Sequence, residues 1–162
     1  MKWQCNPIKK NEIFELFEKE DAICKIKCKN VIDNKLQDHV GTGFFLELNC
    51  KDIPFNKCLL TNNHILNMND IQKDRKINFE YKNEKRVIEM TEKRRAFTNQ
   101  ELDYTCVEIF KKDNIGNYFQ IEPYILENES NKFIENDIFI LQYPLGKDLS
   151  FANGKILSKK II

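Results

Sequence analysis

The sequence predicts an all-β protein, and three observations predict it. Ala22, Cys24, Ile26 and Cys28 alternate with the residues between them, a period of two that belongs to a strand. Gly41-Thr42-Gly43-Phe44-Phe45-Leu46-Glu47-Leu48 and Cys58-Leu59-Leu60-Thr61 read as two further strands, joined by a loop over Asn49 to Lys57 that contains Asp52 and Pro54. Ile77 to Tyr81 and Arg86 to Met90 flank Asn83-Glu84 and read as a hairpin by spacing and turn chemistry.

Taken in order, Lys10 to Glu20 carries Ile13, Phe14, Leu16 and Phe17 at helical spacing, with Asn11 as a cap. This is a short amphipathic helix, read as a packing element or, more sharply, as a propeptide or partner-docking segment. The strand Ala22 to Val31 follows, then a polar turn with Asp33, Asn34 and Lys35. His39, beside Asp38 in that turn, reads as a surface imidazole. The glycines before Phe44 allow a backbone approach that a Cβ would block. The run after Cys58 ends at Thr61-Asn62-Asn63-His64. A histidine fixed by a buried strand but standing at its end suits proton transfer better than packing.

Asn67 to Asp70 lacks periodicity, and Lys93 to Gln100 reads as a polar connection. Leu102-Asp103 opens an alternating strand that runs to Phe110. Lys111 to Asn136 is polar and almost patternless, broken by Gly116 and Pro123. Asp137 to Gly146 reads as a buried strand closed by a Pro-x-Gly turn, and Ser150 to Ser158 as another strand.

With 162 residues the chain has room for one domain or two small ones. Its 41% hydrophobic and 31% charged residues are globular, and twelve Phe, five Tyr and one Trp supply the bulk of a core. A net charge of +1 gives no drive toward polyanions or membrane surfaces. The mixed-sign runs Lys73 to Lys76 and Glu92 to Arg95 therefore read as solvated loop faces, not nucleic-acid patches. No apolar run approaches the roughly 20 residues of a transmembrane helix. Met1 to Pro7 lacks the apolar core of a signal peptide, so the cytoplasm is the default location. In that setting Cys5, Cys24, Cys28, Cys50, Cys58 and Cys106 read as reduced, small hydrophobes. On a strand the Cys24 and Cys28 sulfurs stand about 13 Å apart, too far to share a metal ion.

Two motifs carry a resemblance. Gly41-Thr42-Gly43-Phe44-Phe45, then Leu60-Thr61-Asn62-Asn63-His64, is similar to the first barrel of trypsin-like (chymotrypsin-fold) serine peptidases, in its intracellular and bacterial-like branch. The Leu102-Asp103 strand and the later Tyr143-Pro144-Leu145-Gly146 and Gly154-Lys155-Ile156-Leu157-Ser158 segments resemble the same family. The resemblance implies an all-β, chymotrypsin-like double β-barrel. Residues 1–20 form a helical extension, 21–112 the first barrel, 113–136 the crossing between barrels and 137–162 the opening hairpin of the second.

It further implies His64 as general base and Asp103 as its orienting carboxylate, with no cofactor or metal. The expected partner is a polypeptide substrate or a protein, not nucleic acid or membrane, with self-association through the open second barrel. No Gly-x-Ser-Gly segment occurs, and Ser130, Ser150 and Ser158 lack the flanking glycines that would expose a nucleophile. The expectation is thus a serine-type endopeptidase fragment, truncated before its nucleophile and inactive alone. The alternative is a pseudo-peptidase acting as a protein-binding module.

Overall fold

A computed structural model describes residues 19–32, 35–48, 53–121, 134 and 136–156. Strands dominate, and among the described residues no helix reaches seven residues. Most of the expected helix over Lys10 to Glu20 lies outside this set, as do Cys5, Cys50, Ser130 and Ser158.

Alternation produces the strands it predicts. β1 (Ile23–Ile32) pairs antiparallel with β2 (Lys35–Glu47), setting Ile26 opposite Gly41 and Cys24 opposite Gly43. β2 then pairs with β3 (Lys57–Thr61). β4 (Lys76–Tyr81) and β5 (Glu84–Glu89) form the expected hairpin. Its two-residue loop is Lys82-Asn83, both at positive φ (50° and 62°), the geometry that matches strand twist. β6 (Ala96–Asn99) and β7 (Tyr104–Glu108) complete one sheet in the order β5-β4-β1-β2-β3-β7-β6, curled into a half-barrel. β8 (Phe119–Gln120) adds to β2 in parallel. β9 (Asp137–Gln142) and β10 (Ser150–Lys155) make a separate two-stranded sheet.

The curl gives β2 and β3 two buried faces. Phe45 and Leu59 enter the larger core with Ile26, Phe79, Tyr81 and Val107, whereas Leu46 and Cys58 enter a smaller one beside Phe55. Successive side chains point to opposite faces, so each apolar run serves both cores. Phe45 sits at the centre of the larger core, edge-on to Phe79 and Tyr81, with ring centroids 6.0 and 5.4 Å away.

Four sequence expectations need correction. Lys93 to Gln100 is not a plain connection, because Ala96–Asn99 forms edge strand β6 on β7. An edge strand buries little, so four residues of mixed polarity suffice. His39 is not in a turn: β2 begins at Lys35, and the imidazole Nε2 is enclosed without a hydrogen-bond partner among the described residues. Asp137 to Gly146, expected as a buried strand, is open instead, with Ile138, Ile140 and Leu145 exposed, because among the described residues β9 pairs only with β10 in a two-stranded sheet.

The fourth correction is Arg94, expected in a solvated run. Its side chain is 0% exposed. The guanidinium donates to both carboxylate oxygens of Asp113 at 2.7 and 2.9 Å, and to the Glu89 and Glu108 carbonyls at 2.9 and 2.6 Å. It lies 4.2 Å from the Phe110 ring centroid. A buried cation is tolerated only when paired and hydrogen-bonded, and Arg94 is both, with four of its five N–H donors engaged. Asp113 in turn accepts the Phe110 N–H at 2.7 Å, closing the short 3-10 turn Lys111–Asp113.

Among the described residues, Cys24, Cys28, Cys58 and Cys106 carry free thiols, and no helix is long and apolar enough to cross a membrane. Removing one partner of the Arg94–Asp113 pair leaves an uncompensated buried charge. Arg94→Met and Asp113→Ala should each cost about 3–5 kcal/mol in urea denaturation. Losses near the roughly 1 kcal/mol of an exposed pair would show instead that water reaches this corner.

Candidate functional site

The end of β3 and the start of β7 are neighbours, with Thr61 opposite Thr105. That register brings the residue just past β3 beside the residue just before β7. The turn Asn62 to Leu66 carries His64 out of the sheet, and the turn ending at Asp103 faces it. His64 and Asp103, 39 residues apart in sequence, meet with Nδ1 2.7 Å from Oδ2. The main-chain N–H of His64 donates to the other oxygen, Oδ1, at 3.0 Å.

A carboxylate only accepts hydrogen bonds, so Nδ1 carries the proton and Nε2 is left with the lone pair of the neutral ring. Both groups are open: the His64 side chain is 64% exposed and that of Asp103 43%. Asp103 adopts a left-handed backbone, φ 49°, which aspartate tolerates better than most residues.

Every residue of the His64 turn is held, Asn62 and His64 by Asp103 and the other three by groups of their own. The Asn62 amide donates to Asp103 Oδ2 at 3.1 Å and to the Asp103 carbonyl at 3.2 Å. The Asn63 amide donates to Thr98 Oγ1 at 2.6 Å, and Cys28 Sγ donates to the Ile65 carbonyl at 2.8 Å. Thr105 donates its hydroxyl proton to the Leu66 carbonyl at 2.5 Å. In the 2.6 Å contact between the Thr98 and Thr105 hydroxyls, Thr98 is therefore the donor. A directed chain runs from Asn63 through Thr98 and Thr105 to Leu66, bracketing the histidine.

Beneath the turn, Gly41 makes room for Ile65, since a Cβ there would lie 2.5 Å from Ile65 Cγ1. Thr42 ties the site to the second sheet. Its carbonyl accepts from Thr61 Oγ1, and its hydroxyl oxygen accepts the Tyr143 N–H, each at 2.8 Å.

The structure thus brings together both residues singled out in the sequence, His64 and Asp103. It also adds Asn62, Thr98, Thr105 and Cys28. The signal for Asn62 was present in the motif; for the threonines and the thiol there was none, because their partners are distant main-chain atoms and hydroxyls. Burial, and then the Asp70 charge, push the Cys28 thiol up to about 11, so it holds its proton and serves as a donor. Among the described residues no group of three or more His, Cys, Asp and Glu side chains is placed to hold a metal ion. No protein-family model matches the chain, and no curated protein matches it significantly.

The His64 main-chain N–H holds the Asp103 carboxyl below its usual range; desolvation, next in weight, opposes it, and the His64 ring and then the Asn62 amide add to the lowering. A depressed folded value means stability that is present above the unfolded value, near 3.8, and lost as pH falls through the folded one. The stability gap between wild type and Asp103→Asn should close as pH is lowered below about 4, followed by chemical denaturation at stepped pH. A gap independent of pH would contradict these hydrogen bonds to Asp103. Thr105→Val should cost about 1–3 kcal/mol by stranding the Leu66 carbonyl, while Thr105→Ser should stay within about 1 kcal/mol of wild type. Equal losses from both would make packing of the methyl group the cause.

Proposed function

We propose that this chain carries the proton-handling half of a trypsin-like serine-type endopeptidase, with His64 as general base and Asp103 as its orienting carboxylate. In this reading the curled sheet is the first barrel of a double-barrel fold, and β9–β10 is the opening hairpin of the second. The observation that carries it is the 2.7 Å contact from His64 Nδ1 to Asp103 Oδ2, with the imidazole standing exposed at a strand end.

The chemistry follows from that arrangement. As a nucleophilic hydroxyl or thiol attacks a peptide carbonyl carbon, its proton passes to Nε2. The resulting imidazolium keeps its Nδ1–H on Asp103, whose negative charge stabilises it. The proton then goes from Nε2 to the nitrogen of the leaving amine as the C–N bond breaks. The 162 residues contain neither Gly-x-Ser-Gly nor Gly-x-Cys-Gly, so this reading takes the nucleophile and the oxyanion donors from outside them.

The transcript tests it. A reading frame that continues past the Ile162 codon into a Gly-x-Ser-Gly or Gly-x-Cys-Gly segment supports the peptidase. Peptide hydrolysis by that longer protein should then fall by roughly 10⁴-fold in kcat on Asp103→Asn. A frame without such a segment, together with purified protein that binds polypeptides but does not hydrolyse them, would favour a binding module instead.

A further inference from the structure

We infer that Asn62 is a positioning residue that determines which nitrogen of His64 is free to take a proton. The inference rests on the role proposed for His64, and its basis is a convergence of donors on Asp103. Oδ1 takes the His64 main-chain N–H at 3.0 Å. Oδ2 takes two donors, the His64 ring at 2.7 Å and the Asn62 amide at 3.1 Å. The same amide nitrogen also reaches the Asp103 carbonyl at 3.2 Å. Asn62 therefore grips the carboxylate and the main chain of one residue together.

That double grip acts on the two freedoms through which the pair would come apart. One is rotation of the carboxylate about its terminal torsion, which is soft and two-fold in an open aspartate. The other is relaxation of the left-handed Asp103 backbone, φ 49°, toward the ordinary region. Only with both arrested does Oδ2 stay in line with Nδ1, keeping the proton there and the lone pair on Nε2. Packing does not substitute for this hold, because Leu102 and Tyr104 on either side of Asp103 are themselves exposed. All three donors come from residues 62–64, so the pair is assembled entirely by the β3 and β7 ends of the first sheet. It requires nothing from β9–β10.

The test reads the tautomer directly, by ¹⁵N NMR of the His64 imidazole in the intact 162-residue chain, above the pH where the ring is charged. Wild type should show the Nδ1–H form in excess. Asn62→Ala should reduce that excess by about three- to five-fold, the worth of one charge-assisted hydrogen bond partly replaced by water. Asn62→Asp keeps the shape but offers no amide donor and adds a like charge, so it should reduce the excess at least as far. Asn62 is exposed, and amide spectra of both variants should otherwise overlay on wild type.

Asp103→Asn is the control that separates the two readings. If it abolishes the excess while Asn62→Ala and Asn62→Asp leave it at the wild-type level, the positioning role is wrong and the His64–Asp103 pair stands. If Asp103→Asn leaves the tautomer unchanged as well, the pair does not form and the peptidase reading falls with it.

Discussion

Everything that surrounds the site depends on how closely β2 lets its neighbours approach. At Gly41 the Ile65 side chain occupies the space of a Cβ, and at Gly43 the Ile26 and Leu59 side chains do, the latter 2.6 and 2.7 Å from where that atom would stand. Two residues apart on one strand, both glycines open the same face. The sheet can fold over that face instead of lying flat, bringing β1, β3 and the His64 turn onto a common centre. Ile65 is the hinge of the arrangement. Seated on Gly41 and followed by buried Leu66, it anchors the turn from below while His64 stays above in solvent.

The site itself is built from main-chain geometry secured by side chains, not from a walled pocket. Asp103 receives a main-chain N–H from the residue whose ring it also binds, so the two contacts fix ring and backbone together. On the other side, the hydroxyls of Thr98 and Thr105 pass a chain of donors from Asn63 to the Leu66 carbonyl. The parts have opposite solvation: Thr105 is fully buried, whereas His64 is largely open. Rigidity comes from the dry side and access from the wet side. Such a division suits a group that must hold one orientation while exchanging protons with whatever approaches it.

Much of this was legible in the sequence, for physical reasons that vary from residue to residue. Period-two alternation announced β1 and β7 and, more weakly, β2, while β3 showed as a short apolar run because both of its faces are buried. The tight β4–β5 turn was legible because positive φ is confined to few residue types, although it sits one residue earlier than expected. The meeting of His64 and Asp103 was foreseen from motif resemblance, and no local pattern would have paired residues 39 apart. Arg94 went the other way. Within Glu92 to Arg95 it looks like its neighbours, and only the distant Asp113 distinguishes it. β6 was missed because a short edge strand of mixed polarity leaves almost no periodic trace, and His39 because the polar start of β2 has the composition of a turn.

The buried Arg94 corner has a consequence for sequence drift. Two of the acceptors around the guanidinium are main-chain carbonyls, at Glu89 and Glu108, which any residue at those positions would supply. The two remaining acceptors are the oxygens of a single side chain, Asp113. The constraint is thus concentrated in one pair of positions 19 apart, while the residues closest to them are released to vary. Arg94 and Asp113 cannot change one at a time without passing through a chain that strands a charge in the core. Related chains should therefore keep both or have exchanged both in a joint step, and a charged residue inside a variable, polar-looking segment would be the one fixed letter in it.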